Sequence, residues 1–384
     1  MRIMISAGEA SGDLHGASLV RAAHKLDPEA EFFGLGGCNM AEAGVRLISH
    51  LSQTAVMGLT EVMGSLYRIL KIRRNLARLL VTEKPQALVL IDSPDFNFYL
   101  AKKAFKQGIP VIYYICPQIW AWRQGRLKFL AKYISRRAVI FPFELDFYTR
   151  RGVTADLVGH PLLDELPARR PQLEIAEELG LGEGPILAIL PGSRRSVAER
   201  LTSPMLKAAE LLLQDFPDLR PVIPRAQSLS PEFLDSLIKD SSPKVLERLK
   251  VTDGNSQNIL AAARAALLAS GTSTVEGTLL GTPMVVAYKT SGLSFFLARH
   301  LVKVPFISIT NLLLNRLVIP ELIQAEATPE NMARSLKPYL TDSPGRSQVL
   351  EDLQEASVLL GSRGASRKTA ELILSEIRTR RRGG

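Results

Sequence analysis

The chain has 384 residues, enough for two domains with sizeable cores. Its 46% hydrophobic and 22% charged residues place it among globular proteins. With 48 Lys and Arg against 38 Asp and Glu, the formal charge is +10, so anionic partners are favoured, whether nucleic acid, acidic lipid or phosphorylated small molecules. Two cysteines, Cys38 and Cys116, in no C-x-x-C pair, point to a reducing compartment and away from zinc or iron–sulfur sites. No apolar run approaches the ~18–20 residues of a spanning helix, and the start reads as a strand rather than a signal peptide.

In chain order, Arg2–Ser6 is an apolar strand followed by an amphipathic helix over Leu14–Lys25. The stretch joining them, A-G-E-A-S-G-D-L-H-G at Ala7–Gly16, is a glycine-rich loop at the carboxyl edge of a sheet, where open α/β folds hold ligands. Glu9, Ser11, Gly12, Asp13 and His15 suit hydroxyls or amides better than pyrophosphate, though Ser11 or Asp13 could equally cap the helix. No glycines have the G-x-G-x-x-G spacing, Gly34-Leu35-Gly36-Gly37 lacks the last one, and no G-x-x-x-x-G-K-[ST] occurs, which argues against an ATPase or GTPase.

A helix over Thr60–Leu80 carries Arg68, Lys71, Arg73, Arg74 and Arg78 beside apolar Leu66, Ile69, Leu76 and Leu80. The strand Ala87–Asp92 then runs into Ser93-Pro94-Asp95-Phe96-Asn97, with Pro94 expected to block a helix between the two aspartates. A carboxylate there can act as general base on a substrate hydroxyl, or can simply form a turn. Strands at Pro110–Ile115 and Ala138–Phe141 enclose Ile119–Arg137, where Trp120 and Trp122 mix with Arg123, Arg126, Lys128, Lys132, Arg136 and Arg137. Such segments suit anionic lipid surfaces, and they also describe core-facing helices with a solvated basic face.

Pro161, Pro167, Pro171 and Pro185 mark a boundary, after which strand–helix alternation restarts. The strand Ile186–Leu190 ends in Pro191-Gly192-Ser193-Arg194-Arg195, and arginine's rigid fork matches phosphate. A helix over Ser203–Asp215 and a strand at Pro221–Ile223 follow. A further strand, Ala266–Ala269, meets Ser270-Gly271-Thr272-Ser273-Thr274, then a helix with Glu276 and a strand at Met284–Tyr288. A glycine and hydroxyls at a helix start seat a phosphate, and a carboxylate one turn on can accept from ribose hydroxyls. Ordinary capping of a βαβ turn explains part of this signal. Helices at Val349–Leu360 and Ala365–Arg378 lead to a basic tail. With no D-x-D, no H-E-x-x-H and only five histidines, no metal and no cofactor is expected.

Together these motifs resemble the lipid-A-disaccharide synthase family of GT-B glycosyltransferases. The resemblance runs through A-G-E-A-S-G-D (Ala7–Asp13), M-G-L-T-E-V (Met57–Val62), I-D-S-P-D-F-N (Ile91–Asn97) and Y-Y-I-C-P-Q-I-W-A-W-R (Tyr113–Arg123). It continues in F-P-F-E (Phe141–Glu144), V-G-H-P-L (Val158–Leu162), L-P-G-S-R (Leu190–Arg194), S-G-T-S-T-V-E (Ser270–Glu276) and P-M-V-V-A-Y-K (Pro283–Lys289). It implies two Rossmann-like doubly wound parallel-sheet domains facing a central cleft. Residues 1–165 would form the acceptor side, with a C-terminal helix at about 362–384 packing back on it, and 185–360 the UDP-sugar side. The implied reaction is inverting transfer of 2,3-diacylglucosamine from UDP to 2,3-diacylglucosamine 1-phosphate, giving the β-1,6-linked lipid A disaccharide and UDP.

Carried over residue by residue, Asp95 would be the base. Ser193, Arg194, Gly271, Thr272 and Ser273 would hold the diphosphate, and Glu276 the ribose. Asn311, Glu321 and Gln324 would be further donor-side residues, and Glu9, Ser11, Gly12 and Asp13 would line the acceptor side. Thr310 and Gln86 depart from the family pattern. The resemblance also implies a cytoplasmic protein held peripherally at the anionic inner face of the inner membrane, without nucleic acid, and compatible with a homodimer. The competing readings are another GT-B UDP-sugar transferase, a UDP-sugar epimerase, and a non-enzymatic lipid- or nucleic-acid-binding protein.

Overall fold

The structure is a computed structural model that describes residues 1–51, 62–166, 170–292, 295–296, 302 and 304–382. Most of the Met57–Val62 motif, the first residues of the expected Thr60–Leu80 helix, Pro167 and the last two glycines lie outside the described residues. The chain divides into one unit of Met1–Glu165 with Leu360–Gly384 and another of Leu166–Leu359.

In the first unit, β1 (Arg2–Ala7), β2 (Glu31–Gly36), β3 (Arg46–His50), β4 (Ala87–Ile91), β5 (Val111–Tyr114), β6 (Arg136–Val139) and β7 (Asp156–Leu157) form one parallel sheet in the order β3-β2-β1-β4-β5-β6-β7. In the second, β8 (Ile186–Leu190), β9 (Arg220–Arg225), β10 (Lys250–Asp253), β11 (Ala265–Ala269), β12 (Met284–Tyr288) and β13 (Glu321–Ile323) form another, in the order β10-β9-β8-β11-β12-β13. Both are doubly wound. The chain builds one flank, returns to the centre, and builds the other, so a switch point falls between β1 and β4 and again between β8 and β11.

The central strands are continuous apolar runs because helices cover both of their faces. All five residues of β4, β8 and β11 are buried. The edges read differently: β3 is R-L-I-S-H and β10 is K-V-T-D, half-buried and polar, and neither is expected from an apolar-run criterion. The internal strand β2, E-F-F-G-L-G, is also missed, since its glycines interrupt the run. Helices run longer than their periodicity suggests. The one expected at Ser203 starts at Arg195 and passes through Pro204, and the one expected at Leu14 starts at Ala10.

Two local expectations are corrected. Pro94 does not block a helix; it occupies the first turn of Pro94–Lys106, where its missing N–H costs nothing, so Asp95 lies in a helix start. Asp13 is buried and does not cap its own helix. Its Oδ1 accepts from the backbone N–H groups of Gly37 (2.6 Å) and Met40 (3.1 Å), and its Oδ2 from the backbone (3.0 Å) and side chain (2.9 Å) of Asn39. The buried carboxylate thereby satisfies the start of the helix Cys38–Glu42. At the other end of the chain, the helix Ala365–Arg382 packs along Ala10–Leu26, and Asp164 receives the N–H groups of Gly364 (2.5 Å) and Ser366 (2.9 Å).

Asp13→Ala strands two buried backbone donors, those of Gly37 and Met40, and the part-buried one of Asn39. It should cost about 2–4 kcal/mol of folding stability, read as a lower urea midpoint. An unchanged midpoint would mean that water replaces the carboxylate.

Candidate active site

Strands β1 and β4 end level, with Ala7 opposite Ile91, so the loops after them meet at the switch point. After β4 the backbone turns through two consecutive left-handed residues, Asp92 (φ 47°) and Ser93 (φ 44°), before the helix begins. Neither is glycine, so the conformation has to be held from outside. Asn97 does this: its fully buried amide donates to the carbonyls of Ile91 (3.1 Å) and Asp92 (2.8 Å) and accepts from the Ser6 hydroxyl (2.8 Å). The Tyr113 hydroxyl donates to the same Asp92 carbonyl at 2.6 Å, and burial, with Asp92 beside it, holds that phenol well above its ordinary range and so protonated. From the β1 side Gly8 approaches so closely that a Cβ there would stand 2.1 Å from Ser93 Oγ.

This frame presents Asp95 to solvent, its side chain 78% exposed. Arg126 forms an ion pair with Asp95 Oδ1, and Arg123 Nη1 lies 3.6 Å from the same oxygen. Both arginines sit on the segment after β5. Arg123 is left-handed (φ 55°) and leads into a 3-10 turn at Gln124–Arg126, then a helix at Leu127–Tyr133. Buried Trp120 pins that segment by donating Nε1–H to Glu144 Oε1 at 2.9 Å, while Glu144 Oε2 accepts from the N–H groups of Ile140 and Phe141 at the end of β6. Burial pushes the Glu144 carboxyl up to about 7.

Elsewhere on this unit, Glu9 and Ser11 are exposed beside the end of β1. Gly12 is buried against Ala7 and Ile91, and His15 is tied to Glu165 at 2.7 Å in the interior. The segment Ile119–Arg137 is not one amphipathic helix. Trp120 is interior, Arg137 is buried with its guanidinium on the carbonyls of Leu130 and Ile134, and Arg136 pairs with Asp156.

In the second unit the loops after β8 and β11 take the equivalent positions. Gly192 has φ 111°, open only to glycine, and a Cβ there would press on Val197 at 2.9 Å. The turn exposes Ser193 and Arg194, the latter standing just before the helix Arg195–Asp215, while Arg195 lies over Phe233 at 4.3 Å. After β11, no side chain caps the helix Thr272–Leu280. Ser273 Oγ is 3.3 Å from the Ala269 carbonyl and Thr274 Oγ1 is 2.8 Å from that of Gly271, so the hydroxyls serve the turn, and the helix-start N–H groups are what it offers an anion. Half-buried Glu276 accepts from Gln257 at 3.3 Å.

The three remaining donor-side candidates are occupied within the unit. Asn311 is fully buried and uses both ends of its amide, donating to Glu321 (2.7 Å) and Ile319 and accepting from Val318 and Ile319. Glu321 accepts from the N–H groups of Ile307 and Ser308 and from the Ser308 hydroxyl (2.7 Å), and Gln324 clasps the Thr290 backbone. They hold the segment around Ile307–Asn311 against β13, with Asn311 fully buried and Glu321 and Gln324 half-buried. Among the described residues no group of three or more His, Cys, Asp or Glu could hold a metal ion, and no helix is long and apolar enough to cross a membrane.

Asn97, Tyr113 and Glu144 carry the frame and were not singled out from sequence. Only Glu144 left a local sign, as a glutamate in the first turn of a helix opened by Pro142, where its carboxylate accepts from the Phe141 N–H. Because the folded chain holds the Glu144 proton more tightly than the unfolded one, this group's contribution to stability is full below about pH 4.5 and is lost as pH rises to about 7. The wild type should therefore lose unfolding free energy relative to Glu144→Gln across that window, by at most a few kcal/mol, on top of a pH-independent loss from the variant's poorer acceptor, read from urea midpoints at each pH. A difference flat in pH would show the carboxylate ionised throughout.

The chain matches the family described as lipid-A-disaccharide synthetase over residues 3–377. It is 39% identical over 374 residues to the lipid-A-disaccharide synthase of Myxococcus xanthus, covering 97% of each chain. With that of Syntrophus aciditrophicus it shares 41% over 377 residues, covering 98% of each. In fold it is similar to the UDP-GlcNAc 2-epimerase of Neisseria meningitidis solved with UDP-GlcNAc (TM-score 0.68, 12% identity, 98% of this chain and all of that one). It is likewise similar to a UGT transferase of Siraitia grosvenorii solved with UDP (TM-score 0.64, 13% identity, 98% and 99%). With both sheets doubly wound and a whole-length match, the chain belongs to the lipid-A-disaccharide synthase family of GT-B glycosyltransferases.

Proposed function

We propose that this chain transfers 2,3-diacylglucosamine from UDP to the 6-hydroxyl of 2,3-diacylglucosamine 1-phosphate in a single inverting displacement, with Asp95 as the general base. The observation that carries this reading is an exposed carboxylate at the first sheet's switch point, supported by a frame of fully buried hydrogen bonds, in a chain of this family. As O6 attacks the donor's anomeric carbon, its proton passes to Asp95 and the bond to the diphosphate breaks. UDP leaves with the electron pair.

Charge accumulating on the leaving oxygen is met by Arg194 with Ser193, and by the uncapped helix start at Gly271, Thr272 and Ser273. Glu276 accepts from the ribose. Glu9 and Ser11 line the acceptor side. Asn311, Glu321 and Gln324 act as supports for the donor loop. Two neighbours of the same fold were solved with UDP-GlcNAc and with UDP, in keeping with a UDP-sugar donor.

We assign peripheral contact with an anionic membrane, on its cytoplasmic face, to the helix faces where cations lie on aromatic rings. Arg73 and Lys103 flank Tyr99 (4.4 and 5.5 Å), Lys102 and Lys132 flank Tyr133, and Tyr67 and Phe105 are exposed nearby in sequence.

Incubating the pure protein with both substrates should yield the disaccharide phosphate by mass spectrometry. Asp95→Asn should fold and bind UDP as the wild type does while kcat falls by about 10²–10⁴, and near-normal turnover would remove Asp95 from the chemistry. Turnover should persist in excess chelator, since arginine and the helix start take the place of a divalent ion; strong inhibition there would require a metal.

A further inference from the structure

The contact between Asp95 and two arginines is poorly explained as a stabilising ion pair. Asp95 is 78% exposed, and pairs at such sites stabilise a fold by little. Yet both guanidiniums converge on one oxygen, and each rests on an aromatic face that does not depend on Asp95. Arg126 lies 5.2 Å from the Phe98 ring centre, itself stacked on Phe129, and Arg123 lies 4.1 Å from that of Trp122. Arg123 also holds a left-handed backbone, a conformation disfavoured for arginine, on a segment anchored through Trp120 and Glu144. Two forks are thus kept in place beside the carboxylate, and a fork of this kind fits a phosphate as well as it fits a carboxylate.

The acceptor chemistry supplies that phosphate at the right spot. In a hexose 1-phosphate, C1 and C6 flank the ring through the ring oxygen and C5, so the anomeric phosphate and the 6-hydroxyl share one edge of the sugar. A base at the hydroxyl can therefore have the phosphate as a neighbour.

Building on Asp95 as the base, we propose that Arg123 and Arg126 form the subsite for the acceptor's anomeric phosphate, and that the arriving phosphate draws both guanidiniums from Asp95 Oδ1. The ion pair is the resting state. Exchange leaves the carboxylate free to accept the O6 proton only when a phosphorylated acceptor is in place, so one recognition event both selects the substrate and arms the base.

The test compares 2,3-diacylglucosamine 1-phosphate with its uncharged 1-O-methyl glycoside as acceptors. The wild type should prefer the phosphate by about 10²–10³ in kcat/KM. In the double variant Arg123→Ala, Arg126→Ala that preference should fall below about tenfold, mostly through a higher KM for the phosphorylated acceptor, and Arg126→Lys should retain part of it. An equal loss for both acceptors, with the preference intact, would overturn the subsite and leave the arginines as orienters of Asp95.

Calorimetry separates this from the question of the base. With UDP present, the phosphorylated acceptor should bind Asp95→Asn at least as tightly as the wild type, and at least about tenfold more weakly when both arginines are also removed. Equal binding overturns the subsite. Persistent turnover by Asp95→Asn would instead sink the base while the binding comparison still decides the subsite. UDP affinity and circular dichroism of each variant exclude misfolding as the cause.

Discussion

A parallel sheet sends the exit of every strand to the same edge, and a doubly wound sheet leaves one gap on that edge where neighbouring loops diverge. In both units exposed polar residues are found at this gap. The first has Asp95, Glu9 and Ser11 around the ends of β1 and β4. The second has Ser193, Arg194 and the start of Thr272–Leu280 around the ends of β8 and β11. The apolar strands beneath supply a rigid floor, and the chemistry is confined to the turns.

Those turns hold conformations that their sequences do not favour, and buried polar side chains supply the restraint. Asn97 and Tyr113 hold two left-handed residues after β4, Asp13 completes a neighbouring helix start, Glu144 ties Trp120 to the end of β6, and Asn311 with Glu321 fixes the segment before β13. Each is buried or half-buried, so a missing partner would leave an unsatisfied group in a low-dielectric setting. Polar residues near a ligand edge therefore divide into those that face outward and those that hold the edge in shape. Both kinds occur within the same motifs.

The positive charge of the chain divides in a similar way. Arg137 is an internal brace, Arg136 and Arg195 serve ion pairs or ring contacts, and Arg123 and Arg126 meet the exposed carboxylate of Asp95. Counting basic residues along Ile119–Arg137 overstates its surface charge. The strand β6 takes the last two arginines out of the set that an amphipathic helix would have displayed.

Sequence alone determined the family, the two α/β halves, the central strands and the motif turns. Long buried runs and glycine-marked strand exits are local signals, read without knowing what packs against them. It did not reveal the edge strands β3 and β10, whose polar composition reflects a half-exposed position that only neighbours define. Nor could it separate Asp95 from Asp13, or Arg126 from Arg137. In each pair both residues carry the same charge, and one is left at least partly open to solvent while the other is buried against backbone partners. Which carboxylate is left for chemistry is decided by where the chain places its N–H groups in space, and that is a property of the tertiary structure.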